Sequence, residues 1–332
     1  MDEETLKELK KINVIKDFID FLKPYYPNLD IKDYSIEEIE RALYHTFIKL
    51  IGKIISISPD RMRSFLKDYL LVYEIMNIKQ IILGAIVGMT KDEKTKNVNF
   101  LVEEYLENTD FVRGLLEIRS LDEIQLYMKG TKYYKAIREG ILYFKNNNEI
   151  FVLEAFLDQL YFLTLVNKKK LLSKNEKKIV ALYIDVVTEI YNLNMIYRGI
   201  KNNIDKKLLA QFLVNNYLFL DEEKVNLILQ QETLDDFFSS IENTLRNTEE
   251  IKKIIKSLDP IREHFVWWIG GLYMNYFFTR FEKKIDNIDY STVFKIIEIV
   301  IKKNKEIQFD ILPNIIKIIN DKYEIMEKAA RE

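Results

Sequence analysis

Glu74-Ile75-Met76-Asn77-Ile78-Lys79-Gln80-Ile81-Ile82-Leu83-Gly84 returns 115 residues later as Glu189-Ile190-Tyr191-Asn192-Leu193-Asn194-Met195-Ile196-Tyr197-Arg198-Gly199. Both read E-I-x-N-(I/L)-x-x-I-x-x-G. On a helix the Glu, Asn, Ile and Gly of this pattern fall at i, i+3, i+7 and i+10, along one stripe of the surface. Ile75, Ile78 and Ile82 form an apolar stripe beside it. Asn is a mediocre helix former, so an Asn in the middle of each helix predicts a side chain engaged with a neighbouring helix or turn. Gly84 and Gly199 would let another backbone approach closely or would end the helix. Glu74, Asn77, Glu189 and Asn192 are therefore expected to bond helix to helix. A carboxylate and an amide three residues apart are not a catalytic pair without a third partner.

The repetition extends outward in the same order. Leu43-Tyr44 matches Leu160-Tyr161 at an offset of 117, and 133–137 (Tyr-Tyr-Lys-Ala-Ile) loosely matches 237–241 (Phe-Phe-Ser-Ser-Ile) at 104. Matches that stay collinear point to an internal duplication of helical units. A fainter third copy opens at Glu306-Ile307, but Phe309 stands where Asn would be, and Asp310 with Pro313 predicts a fresh helix start. Helix starts recur elsewhere as capping pairs: Ser35 with Glu38, Ser120 with Glu123, Ser173 with Glu176, Asn247 with Glu250. Pro59 and Pro260 stand where a first turn tolerates a ring. Between the starts, apolar residues recur in steps of three and four, as in Ile36-Ile39-Leu43-Phe47-Leu50, and no run alternates at period two. Short polar links are expected at 146–148, 167–170, 202–203 and 302–304. The chain reads as all-α.

Composition agrees. Apolar residues make up 48 % of 332, enough for a large core and against disorder. Only 9 Gly and 5 Pro leave few tight turns, which suits long helices. Acidic and basic residues nearly cancel, 52 against 50, without the basic excess that tracks nucleic-acid phosphates, so no nucleic-acid partner is expected. The absence of Cys removes disulfides, thiolate nucleophiles and Cys-zinc sites. The acidic start Met1-Asp2-Glu3-Glu4 is unlike a signal peptide. The aromatic run Phe265 to Phe278 is too short to span a bilayer and is expected to be a buried helix; no direct membrane span is expected.

Chemistry is hard to find. His45 and His264 lack a second His at metal spacing, and P-loop, G-x-S-x-G and G-x-G-x-x-G patterns are absent. Asp235-Asp236-Phe237-Phe238-Ser239 resembles the magnesium motif of terpenoid synthases, but its fifth position is not acidic and Asn320-Asp321-Lys322-Tyr323-Glu324 does not complete a second motif. Lys168-Lys169-Lys170 is expected to be a solvated loop rather than an anion site. No catalytic, cofactor-binding or metal residue is expected.

The ordered set of motifs resembles the C subunit of archaeal and vacuolar-type rotary ATPases, the d subunit of the eukaryotic complexes. It is carried by 36–44 (IEEIERALY), 73–82 (YEIMNIKQII), 153–161 (LEAFLDQLY) and 189–198 (EIYNLNMIYR), in order over roughly residues 35–310. Leu83 departs from the pattern where Arg198 keeps it. The resemblance implies a funnel of three pseudo-symmetric helical subdomains: an N-terminal helical lead at 1–34, then units at 35–147, 148–245 and 246–332, the last degenerate. It implies a non-catalytic central-stalk subunit, peripheral on the cytoplasmic face of the membrane. The D and F subunits and the proteolipid ring would be its partners, with the membrane stator subunit as a further neighbour. The residues alone leave open a helical-repeat protein-binding scaffold unrelated to rotary ATPases.

Overall fold

The computed structural model describes residues 1–27, 29, 31, 34–171, 177–245, 249–258, 264–285 and 292–331, which are helical with short connections and contain no strand. The expected caps at Ser173 and Asn247, and Pro260, lie outside the described residues. The chain divides into two compact units, 59–289 and a discontinuous unit built from 1–58 and 290–332.

The discontinuous unit holds α1 (Glu3–Leu9), α2 (Ile15–Leu22), α3 (Ile36–Ile57), α17 (Thr292–Lys305), a π-helical segment Glu306–Ile311 and α18 (Leu312–Arg331). Ser35 caps α3 by accepting the Glu38 N–H at 3.3 Å, as its spacing predicts. The helix ends at Ser58, where the following Pro59 disfavours continued α conformation. Its period places Ile39, Leu43, Phe47 and Ile51 inside, and α3 packs against α17 and α18 while α2 packs on α18. Fully burying each such side chain contributes about 1.5–3 kcal/mol. Pro313 sits in the first turn of α18, but the fresh start expected at Asp310 does not occur: Asp310 lies inside the π segment, and the chain stays helical without a break over 292–331.

The continuous unit begins with α4 (Asp60–Ile86), followed by α5 (Lys91–Lys96), α6 (Phe100–Leu106), α7 (Thr109–Glu117), α8 (Leu121–Tyr127), α9 (Tyr134–Asn147) and α10 (Ile150–Leu171). A π segment, Lys177–Ala181, leads into α11 (Leu182–Lys201). Then come α12 (Lys206–Phe212), α13 (Glu222–Leu229), α14 (Leu234–Leu245), α15 (Glu249–Leu258) and α16 (Phe265–Ile285). Helix α10 packs on α4, α9 and α11, and α11 packs on α16. The short helices α5 to α8 gather on α4, while α12 and α14 gather on α11. The aromatic run is the buried helix expected: Phe265, Trp268, Tyr273, Phe277 and Phe281 on α16 are almost wholly enclosed.

Two expectations fail. Residues 167–170 and 302–304 are not links but lie inside α10 and α17. Lysine near a helix C-terminus is favourable to the helix dipole, and these lysines find partners. Lys168 pairs with Asp68 at 2.7 Å and Lys169 with Asp185 at 2.5 Å, so the triplet is not a solvated loop. Among the described residues, two helices, Met62–Ile86 and Ile150–Lys170, are long and apolar enough to cross a membrane; the aromatic run is not one of them. Within this fold they are the α4 and α10 pair, packed on each other.

Candidate functional site

The repeated signature builds the same local structure twice. Asn77 on α4 and Asn192 on α11 each use one side-chain amide as though it were a strand residue. Asn77 Nδ2 donates to the Asn99 carbonyl at 3.1 Å while its Oδ1 accepts the Asn99 N–H at 2.9 Å. Asn192 does the same to Val214, at 2.8 and 2.9 Å. Each clamp ties a long helix to backbone 22 residues on. A buried backbone pair satisfied in this way needs no water.

Both helices then end identically. The N–H of Met89 returns to the Gly84 carbonyl at 2.8 Å, and that of Ile204 to Gly199 at 2.9 Å. The left-handed residue is Gly88 in one copy and Asn203 in the other, at φ of 77° and 53°. The next helices start on Thr90 and Asp205, whose side chains accept N–H groups from Glu93 and Leu208. Gly84 and Gly199 face a side chain of that following helix. A Cβ at Gly84 would stand 2.6 Å from Lys94 Cγ, and one at Gly199 would overlap Leu209 Cδ1. Neither glycine admits another backbone or ends its helix: each lies two residues before the last helical residue and makes room for a side chain of the following helix.

The glutamates form buried nodes. Glu189 accepts N–H groups from Leu218, Phe219 and Leu220 at 2.6, 3.1 and 3.1 Å, and the Tyr273 hydroxyl at 2.6 Å. Successive backbone N–H groups converging on one anion form a concave nest. Burial still pushes the Glu189 carboxyl up, with these four donors opposing it. Glu74 accepts from Asn108 Nδ2 at 2.6 Å, from Lys132 at 3.3 Å and from the Tyr133 hydroxyl. Near it is a second buried carboxyl, Glu103, which accepts from Asn77 Nδ2 at 2.6 Å. Burial pushes Glu103 up to about 8; the Asn77 hydrogen bond opposes the shift and the charge of Glu74 adds to it.

The third copy keeps the glutamate and loses the amide. Glu306 opens a π-helical segment, whose wider turn takes Phe309 off the stripe that Asn would need. Glu306 nevertheless accepts a tyrosine hydroxyl, from Tyr26 at 2.5 Å, along with Lys303 at 2.7 Å. Burial alone would raise this carboxyl; hydrogen bonds from Lys303, the terminal ammonium and Tyr26 outweigh it and hold it below the ordinary range. Three buried glutamates thus each receive one tyrosine hydroxyl, from Tyr133, Tyr273 and Tyr26. Tyr133 belongs to the loose 133–137 match, but its sequence counterpart Phe237 carries no hydroxyl, and Tyr273 from α16 fills that role. Nothing in the sequence near Tyr26 marks it.

Further ties join the copies of the signature to the α10 motif. Lys79 pairs with Asp158 at 2.5 Å. Arg198 pairs with Glu154 at 3.1 Å and lies over the Phe151 ring, a tie that Leu83 cannot make in the first copy.

Glu74, Glu189 and Glu306 each receive several donors, whereas Glu103 accepts from Asn77 through one oxygen and keeps the other buried without a hydrogen bond. Among the described residues, no group of three or more His, Asp or Glu is arranged to hold a metal ion. Asp236 is exposed and paired with Thr233 at the start of α14, while Asp235 is exposed beside it. His45 is half-buried on α3, and the carbonyl of exposed His264 caps α16 by accepting from Trp267 and Trp268. The arrangement ties helix ends to neighbouring backbone.

Residues 1–307 match the family model described as ATP synthase (C/AC39) subunit. Among relatives, the C subunit of the A-type ATP synthase of Methanobrevibacter smithii is 23 % identical over 248 residues, 73 % of this chain and 62 % of the relative. That of Methanocaldococcus jannaschii is 23 % identical over 256 residues, covering 73 % and 61 %. That of Pyrococcus furiosus is 25 % identical over 217 residues, covering 64 % and 56 %. The matched region thus spans less than two thirds of these relatives.

Proposed function

Because the chain belongs to the ATP synthase (C/AC39) subunit family, we propose that it is the non-catalytic C subunit of an A-type or V-type rotary ATP synthase or ATPase. In this reading it joins the D–F shaft to the proteolipid ring and passes rotation between ATP chemistry and proton or sodium movement. It is peripheral, on the cytoplasmic face of the membrane, with the stator subunit as a neighbour. The three units, 35–147, 148–245 and 246–332 behind a lead at 1–34, are arranged as a pseudo-symmetric funnel. The observation that carries the proposal is the family match over residues 1–307. The duplicated clamps lend it physical sense, since a torque-bearing adaptor needs helix ends that do not fray and needs no active site.

Reconstitution tests it. The purified chain is expected to bind a D–F complex or a detergent-solubilised ring and to hydrolyse no ATP alone. A complex assembled without it should hydrolyse ATP without moving ions. Failure to associate with either partner, or unaltered ion transport in its absence, overturns the proposal.

A further inference from the structure

A cavity of about 190 Å³ lies wholly within the unit formed by 1–58 and 290–332. By liquid volume it has room for about six waters. Lys49, Lys53 and Lys303 line it, with Tyr25, Tyr26 and Pro27 supplying ring surfaces. Lys49 and Lys53 stand one turn apart on α3, so their ammonium groups share a face, a repulsive arrangement on an isolated helix. Neither ammonium group has a hydrogen bond or ion pair among the described residues, unlike the lysines of α10. Lys303 stands over the Tyr26 ring, 4.5 Å from its centroid, and donates to Glu306. That carboxylate is already shared with Tyr26, so it does not neutralise the two lysines on α3.

With Lys303 paired to Glu306, the two α3 ammonium groups beside this small cavity leave a local excess of positive charge. Lysine recognises phosphate as a point charge, without the planar fork that favours arginine for carboxylates. We infer that this cavity is a binding site for a phosphate group, carried by free inorganic phosphate or by the headgroup of an anionic lipid. The two α3 lysines supply the charge, and Lys303 closes the far wall.

Calorimetry on the full chain with inorganic phosphate, against chloride at matched ionic strength, tests the site. The second arm is flotation with phosphatidylcholine vesicles with and without phosphatidate. Phosphate is expected to bind, with a loss of about tenfold in Lys49→Gln/Lys53→Gln and none in the exposed control pair Lys11→Gln/Lys16→Gln. Flotation that requires phosphatidate and both α3 lysines assigns the phosphate to lipid; binding of free phosphate alone assigns it to a soluble anion. Should the double variant fail to fold, Lys49→Gln and Lys53→Gln measured singly, each expected to weaken binding, replace it. No preference for phosphate over chloride together with no lysine-dependent flotation, or an equal loss in the control pair, overturns the inference.

Discussion

At the scale of single residues, the informative side chains are amides and carboxylates bonded to distant backbone or tyrosine. Asn192→Ala strands the buried N–H and C=O of Val214, and Asn77→Ala the half-buried pair of Asn99, which costs about 1–3 kcal/mol; chemical denaturation should show both losses, and unchanged midpoints would refute the clamp. Glu103 gives a pH signature. Its carboxyl lies near 8 when folded against an ordinary 4.5, so between those values the folded chain keeps a proton that the unfolded chain releases. Stability contributed by this group is full below about pH 4.5 and falls as pH rises towards 8, by up to about 1.4 kcal/mol per unit. Glu103→Gln should flatten that slope in thermal melts from pH 5 to 8.5. The roles of Glu74, Asn77, Glu189 and Asn192 are legible in the sequence because polar residues at helical spacing inside apolar stripes must find partners. Which partners is not legible: Val214 is marked only by its place in the fold, and Tyr26 is 280 residues from the glutamate it bonds.

At the scale of elements, periodicity and caps are enough to read α3, α4, α11 and α16. The run 167–170 misleads because lysines and Asn have the composition of a link, and equally that of a helix's last turn. The third signature misleads in another way, since a π turn alters the spacing by which a stripe is recognised. Helix termination offers a comparison between the two copies. At Gly199 an added Cβ meets Leu209 and at Gly84 it meets the stem of Lys94, and both of these side chains are buried. Overpacking a core costs about 1–3 kcal/mol, against a helical gain of up to about 1 kcal/mol from Ala over Gly. Gly199→Ala should therefore destabilise by about 1–2 kcal/mol, and Leu209→Ala in the same chain should relieve part of that loss in a double-mutant cycle.

At the scale of the whole molecule, the all-α class follows from composition and period, but the division of the chain does not. Linear reading places boundaries between successive stretches, and no local signal reveals that 1–58 and 290–332 share one unit. A chain ending at residue 289 would leave Phe18, Leu43 and Phe47 without the helices that cover them. Limited proteolysis of that shortened chain should digest the first 58 residues while 59–289 resists; equal protection of both would contradict the division. The same topology sets an order of events during biosynthesis. A ribosome delivers 59–289 complete while the opening helices still wait for residues from 290 onward, so their apolar faces stay uncovered through most of translation. The amino-terminal segment is thus the stretch most in need of a chaperone, and substitutions there should lower the yield of folded chain more than their effect on finished stability would suggest.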